Sequence, residues 1–191
     1  DKKSLDFSKS FQDSKEKLIA DVGFGSGESA LYLAENYKNA NVVGIEVYPS
    51  GIGATLNKIH TQGLTNLKLI EYNFQNLLTE NIKGEVFDLV VFLYPDPWPK
   101  RRHHKRRLFN KGFLNLLHER MNSEGLIYCK TDCKDYYVDI KKEFSIHEGW
   151  VKQGLNKLPK ILKFLPLSNY EKKAIKGNRQ SKELFFKKVS N

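Results

Sequence analysis

The chain has 191 residues, of which 40% are hydrophobic, 12% aromatic and 28% charged, the composition of an ordinary folded domain and not of a disordered or fibrous chain. Two cysteines, Cys129 and Cys133 at C-x3-C spacing, exclude a disulfide scaffold, an all-thiolate zinc site and the redox C-x-x-C pattern, so a reducing cytoplasmic setting is expected. The formal net charge of +10 is unevenly spread: residues 100–111 hold seven Lys/Arg and no acid, and residues 151–191 hold eleven Lys/Arg against Glu171 and Glu183. The remainder is net acidic, and an acidic body with two basic segments points to a polyanionic partner, most simply nucleic acid.

The longest strongly apolar stretch, Phe87 to Tyr94, is far short of the ~20 residues of a membrane span, and the first residues are too polar for a signal peptide. A single domain over 1–191 is expected. Its residues 1–17 read as an incomplete N-terminal extension, because the chain opens at Asp1 and its one methionine is Met121.

In chain order, Leu18 to Val22 is a short apolar strand stopped by glycine, and Ser29 to Tyr37 carries apolar residues at helical spacing. Asn41 to Val47 is a β-branched strand. Ile52, Leu56 and Ile59 then mark one face of a helix closed by Gly63. Leu67 to Tyr72 is a third strand, Asn73 to Ile82 a short helix or turn, and Phe87 to Leu93 a nearly all-apolar fourth strand. A helix over Phe113 to Met121, a strand over Gly125 to Lys130, and a helical stripe of Tyr137, Ile140 and Phe144 follow. Five strands alternating with helices, several suited to burial on both faces, predict an α/β fold built on a parallel sheet with right-handed crossovers. Trp150 to Leu155 and Leu184 to Val189 read as an antiparallel pair at one sheet edge.

Asp21-Val22-Gly23-Phe24-Gly25-Ser26-Gly27 sits between the first strand and first helix, where glycines let backbone approach a ligand. Glu28 stands where a dinucleotide fingerprint needs glycine, and no Gly-Lys-Ser/Thr follows, so neither a pyrophosphate site nor a P-loop fits. S-adenosylmethionine fits better: it has no phosphate, and its sulfonium and ammonium tolerate Asp21 and Glu28. Glu46 ends the second strand nineteen residues after Gly27, near the ~20 at which a carboxylate meets a ribose diol in such folds. Asn73 with Phe74, after the third strand, is placed to hydrogen-bond and flank an adenine, although Asn there also suits a helix N-cap.

Pro95-Asp96-Pro97-Trp98-Pro99-Lys100 follows the fourth strand, at the carboxyl end of the sheet. Its prolines restrict the loop and pre-organise Asp96. The basic run Arg101 to Arg107 comes next, suited to gripping phosphates beside an active site. His103 and His104 read as solvated members of that run, and no metal site is expected.

From Asp21 onward the chain resembles the bacterial tRNA (guanine-N7-)-methyltransferase family. The resemblance is carried by DVGFGSG, GIEV, the Asn73-Phe74 pair, PDPWPKRRHHKRR and the late Leu-Ser-Asn-Tyr-Glu-Lys-Lys. It implies a Rossmann-like class I methyltransferase fold with a mostly parallel seven-stranded sheet, S-adenosylmethionine as methyl donor, and a variable-loop guanine N7 of tRNA as acceptor. It further implies cofactor contacts at Asp21, Gly23, Gly25, Gly27, Glu46, Asn73, Phe74 and Asp96, with Asp96 also catalytic. Substrate contacts are implied at Lys100, Asp132 and the stretch Ser168, Asn169, Tyr170 and Glu171, beside the phosphate-gripping Arg101, Arg102, Arg106 and Arg107. The chain departs from the family's pattern in having Leu165 in place of an arginine and Ser168 in place of a threonine. The alternatives are an exocyclic-amine nucleic-acid methyltransferase, which uses a related loop, and a non-catalytic RNA-binding protein that keeps the fold.

Overall fold

The computed structural model describes residues 5–13 and 15–189; of the expected 1–17 extension, residues 1–4 and 14 lie outside the described residues. The chain opens with α1 (Phe7–Ser10) and then alternates through β1 (Lys17–Val22), α2 (Glu28–Asn36), β2 (Ala40–Glu46), α3 (Pro49–Gln62), β3 (Leu67–Glu71), α4 (Phe74–Glu80) and β4 (Phe87–Leu93). A 3-10 helix (Arg101–Arg106) leads to α5 (Lys111–Arg120), β5 (Met121–Thr131), α6 (Lys134–Ser145) and β6 (Trp150–Lys152). After a second 3-10 turn (Leu155–Lys157) come α7 (Lys160–Lys163), α8 (Asn169–Lys176) and β7 (Lys182–Lys188).

One seven-stranded sheet runs in the order β3-β2-β1-β4-β5-β7-β6. The first five strands are parallel, whereas β7 pairs antiparallel with both β5 and β6. This is the expected architecture, with the antiparallel pair at the far edge. The strand order reverses between β1 and β4, and a crevice opens there at the carboxyl ends.

Both faces of the sheet are covered, which explains why β2 is buried along its whole length and is apolar from Val42 to Ile45. On one face Phe87, Phe92, Phe74 and Phe113 pack together, and Phe144 stacks on Phe186 at 3.7 Å. On the other, Ile19, Leu33, Val42, Tyr128 and Phe185 form the second layer. Phe7 and Phe11 belong to the first layer, with Phe7 5.8 Å from Phe87 between ring centroids, so these two rings anchor the described part of the extension to the core.

Strand β5 begins at Met121, where the apolar pattern had suggested the end of a helix. Asn122, Ser123 and Glu124 interrupt the alternation, Glu124 has φ 67°, and the pairing with β4 shifts register between Phe87 and Leu89. An irregular strand entrance of this kind leaves no period to read. Strand β6 is shorter than expected because the backbone turns into the 3-10 helix at Leu155, after Gln153 has donated to the Phe185 carbonyl at 2.8 Å.

Candidate active site

The glycine turn leaves β1 with Gly23 N–H donating to the Ile45 carbonyl at 2.8 Å. Gly23, Gly25 and Gly27 all have positive φ, 71°, 57° and 85°. At Gly25 the space a Cβ would occupy is open, whereas at Gly27 a Cβ would run into Thr55 of α3. The turn is thus wedged against α3 on one side and bare toward the crevice on the other, a backbone cradle for a ligand.

A cavity of about 670 Å³ fills that crevice, inside the size range of small-molecule sites. Gly23, Gly25, Glu46, Asn73 and Asp96 line it, together with Tyr48, Trp98, Arg106 and Tyr170. Glu46 accepts from Gly25 N–H at 2.9 Å, Val47 N–H at 2.7 Å and Tyr48 N–H at 3.2 Å. Three backbone donors therefore hold its carboxylate at the cavity wall, and they leave part of its acceptor capacity for a ligand.

Asp21 lies beneath the turn, fully buried and behind the cavity wall. One carboxylate oxygen accepts from the Ser29 hydroxyl at 2.5 Å, and the other has no hydrogen-bond partner. Burial pushes its pKa up to about 7, opposed by the Ser29 bond and aided by the charge of Glu46. A buried acceptor left open beside a glycine turn fits a ligand that brings a donor or a positive charge.

Asn73 borders the cavity and also caps α4, its side-chain oxygen accepting from Asn76 N–H at 3.1 Å. Phe74 corrects an expectation. Its ring is buried 5.9 Å from Phe92 and 6.2 Å from Phe113, in the core and off the cavity lining. As the first residue of α4 it faces the sheet, so it does not flank a ligand in the cavity.

The loop after β4 is bracketed by two non-glycine residues with positive φ, Tyr94 at 55° and Trp98 at 43°. Such conformations persist only where the surroundings impose them. Here the Tyr94 hydroxyl pairs with Ser181 at 2.6 Å, and the Arg106 guanidinium lies 4.9 Å over the Trp98 ring. Asp96 stands exposed at the cavity rim between them.

The basic run folds as a 3-10 helix whose Arg101, Arg102, Lys105 and Arg106 are exposed, with exposed Lys100 at its N-cap. Arg107 overturns its expectation as an RNA contact: it is only 4% exposed and pairs with Asp135 and Asp139. On the far side of the crevice Asp132 pairs with Arg179 at 2.7 Å, and Glu171 is held by Lys130. Ser168 caps α8 by accepting from Glu171 N–H at 3.1 Å. Tyr170 is exposed and reaches the cavity.

Residues 15–184 match a family model described as "Putative methyltransferase". A tRNA (guanine-N(7)-)-methyltransferase of Buchnera aphidicola subsp. Schizaphis graminum is 35% identical over 184 residues, covering 96% of this chain and 77% of the relative. The chain belongs to this methyltransferase family. The protein of the same name from Nitrosomonas eutropha is 33% identical over 172 residues, covering 90% of this chain and 76% of its own. Among solved structures, an rRNA methylase from Streptococcus thermophilus superposes with a TM-score of 0.60 at 14% identity, covering 93% of this chain and 89% of that one. A Streptococcus mutans protein in complex with SAH gives 0.58 at 15% identity, covering 92% and 90%. At these identities the likeness is one of fold, that of the class I methyltransferases.

In this methyltransferase one crevice gathers Gly23, Gly25, Glu46, Asn73, Asp96, Arg106 and Tyr170. Asp21 and Gly27 support it from behind, and Phe74 and Arg107 belong to the packing around it. Sequence reasoning missed Ser26 and Tyr48 on the cavity wall, because neither residue type signals a ligand. It also missed the Arg107 clamp, whose one trace in the sequence is the acidic pair Asp135 and Asp139 at i, i+4 spacing on α6.

Proposed function

We propose that this methyltransferase moves a methyl group from S-adenosylmethionine to N7 of a guanine in the variable loop of tRNA in the cytoplasm. The observation that carries the reading is the position of Asp96, held on a conformationally restricted loop at the rim of the cavity that the glycine turn and Glu46 line. Gly23, Gly25, Glu46 and Asn73 would hold the cofactor, with Asp21 supporting from beneath. When bound, the cofactor supplies a sulfonium methyl: the S–CH3 bond breaks with its electron pair returning to sulfur, the N7–CH3 bond forms, and the positive charge passes to the purine.

Guanine N7 has a free lone pair and no proton, so no residue has to act as a base on it. The chain's part is positioning and charge. Asp96 accepts from guanine N1–H and the exocyclic amine and stabilises the positive charge growing on the ring. The exposed Lys100, Arg101, Arg102 and Arg106 grip phosphates flanking the target nucleotide, which must leave its stack to reach the cavity. Among the described residues no helix is long and apolar enough to cross a membrane.

The test is nucleoside mass spectrometry of tRNA incubated with the protein and S-adenosylmethionine, with 7-methylguanosine as the expected product. A transcript carrying 7-deazaguanine at the target position keeps the Watson–Crick edge and should bind but accept no methyl. Methylation of that transcript at the same site would move the acceptor to the exocyclic amine, and absence of any methylation alongside intact tRNA binding would leave an RNA-binding protein.

A further inference from the structure

Arg107 is the one buried residue of the basic run. Its Nε–H donates to the Pro97 carbonyl at 2.8 Å, its Nη2 to Asp135 at 2.6 Å and its Nη1 to Asp139. Its guanidinium lies 5.1 Å from the centroid of the buried Tyr136 ring. One planar fork thus joins the carbonyl of the residue that follows Asp96 to two carboxylates one helical turn apart on α6, a geometry a single-point ammonium cannot reproduce.

The placement matters because of what the fork holds. The Pro95–Pro97 segment sits between two residues with positive φ, Tyr94 and Trp98, and such backbone relaxes unless the surroundings fix it. The Tyr94 hydroxyl fixes one end through Ser181. At the other end, Pro97 has no N–H, so its carbonyl is the one backbone hydrogen-bonding group it can offer, and Arg107 takes it. Helix α6 follows directly from the carboxyl end of β5, so the anchor leads into the central sheet.

His104, Asp135 and Asp139 come close enough to suggest a cation site. Arg107 already supplies the positive charge between the two carboxylates and holds the Asp135 carboxyl below its usual range by direct hydrogen bonding, so no ion is needed to neutralise them.

We propose that Arg107 is a positioning residue for the methyl transfer: by tying the Pro97 carbonyl to Asp135 and Asp139 it holds the loop in the conformation that places Asp96 against the target base. This rests on the catalytic reading of Asp96. A displacement of about 1 Å in a catalytic group can cost on the order of a hundredfold in rate. Arg107→Ala should therefore lower kcat by roughly ten- to a hundredfold, with KM for tRNA and Kd for S-adenosylmethionine each within about threefold of wild type. Arg107→Lys keeps the charge but not the fork and should restore little of the loss.

Hydrogen exchange followed by mass spectrometry supplies a readout independent of what Asp96 does. Peptides covering residues 92–107, in which the Tyr94, His103 and Arg107 N–H groups are hydrogen-bonded, should exchange faster in Arg107→Ala, while peptides from β1 and β2 stay protected. Asp135→Asn, which removes one partner at an exposed position, should shift kcat and exchange in the same direction by less, and it serves if Arg107→Ala does not fold. A raised KM for tRNA with unchanged kcat, or full rescue by lysine, would make Arg107 a phosphate contact and overturn the proposal. Faster loop exchange with unchanged kcat would instead leave the clamp in place and remove Asp96 from catalysis.

Discussion

Asn169 donates from its side-chain amide to the Ser26 hydroxyl at 2.7 Å, joining the first turn of α8 to the glycine turn across 143 residues of chain. The same stretch is tied elsewhere to the carboxyl ends of the central strands. Glu171 meets Lys130 of β5, Arg179 meets Asp132, and Ser181 meets Tyr94. The late motif is therefore built into the wall of the cavity, to which it also brings the exposed Tyr170.

Asn169→Ala should weaken S-adenosylmethionine binding by roughly two- to tenfold, the equivalent of one neutral hydrogen bond at about 0.5–1.5 kcal/mol. Titration calorimetry on the purified variant checks this. Unchanged affinity would mean that α8 and the glycine turn act independently.

Glu46→Ala should cost about ten- to a hundredfold in cofactor affinity, since hydrogen bonds to a charged group contribute ~1.5–3 kcal/mol. It should also lower Tm, because Gly25, Val47 and Tyr48 lose the acceptor that holds their N–H groups. Glu46→Gln keeps one carbonyl acceptor and should fall between the two. Wild-type affinity in either variant would remove Glu46 from the cofactor site.

Asp96→Ala should reduce methyl transfer by about 10²–10³ while leaving cofactor affinity nearly intact, as expected for a group whose interaction strengthens as charge develops. Single-turnover assays at saturating tRNA separate this from binding. A rate within a few-fold of wild type would end its catalytic assignment.

Replacing Arg101, Arg102, Lys105 and Arg106 with alanine should weaken tRNA binding and flatten its salt dependence. Each lost phosphate contact takes about 0.7–0.9 from the log–log slope. An unchanged slope between low and moderate salt would show that this face does not meet RNA.

Asp21 gives the protein a pH-dependent term. Its folded pKa of about 7 lies above the ordinary 3.8, so the fold favours the protonated form. Between about pH 4 and pH 7 the unfolded chain releases this proton and the folded chain does not. The stabilisation is complete below that window, declines as pH rises through it and is level above it. Asp21→Asn removes the term, so the Tm of the variant minus that of wild type should grow from pH 5 to pH 8 in thermal melts. A constant difference would contradict it.

What the sequence made legible was local. The DVGFGSG turn, Glu46 at a strand end and the proline-flanked Asp96 each declare themselves within a few residues, and the strand alternation supplies the sheet that brings them together. Phe74 and Arg107 lie away from their expected partners because their direction depends on neighbours distant in the chain. Phe74 follows an Asn whose type suits both a ligand and a cap, and helix α4 then turns its ring toward Phe87 and Phe92. Arg107 is one arginine among several until the 3-10 helix ends and delivers it to Asp135 and Asp139.

Strand β7 is the last of the seven strands to be synthesised, yet it lies between β5 and β6 and hydrogen-bonds to both. While residues 182–188 are still inside the ribosome, β5 presents a bare edge along Leu126 to Thr131, and the three residues of β6 have no neighbour to pair with. The nascent chain must carry that open edge until this strand has left the ribosome, the period in which strand edges recruit one another. Sheet closure on this side is therefore a late folding step, and products of interrupted translation that stop short of β7 should be the aggregation-prone species of this enzyme.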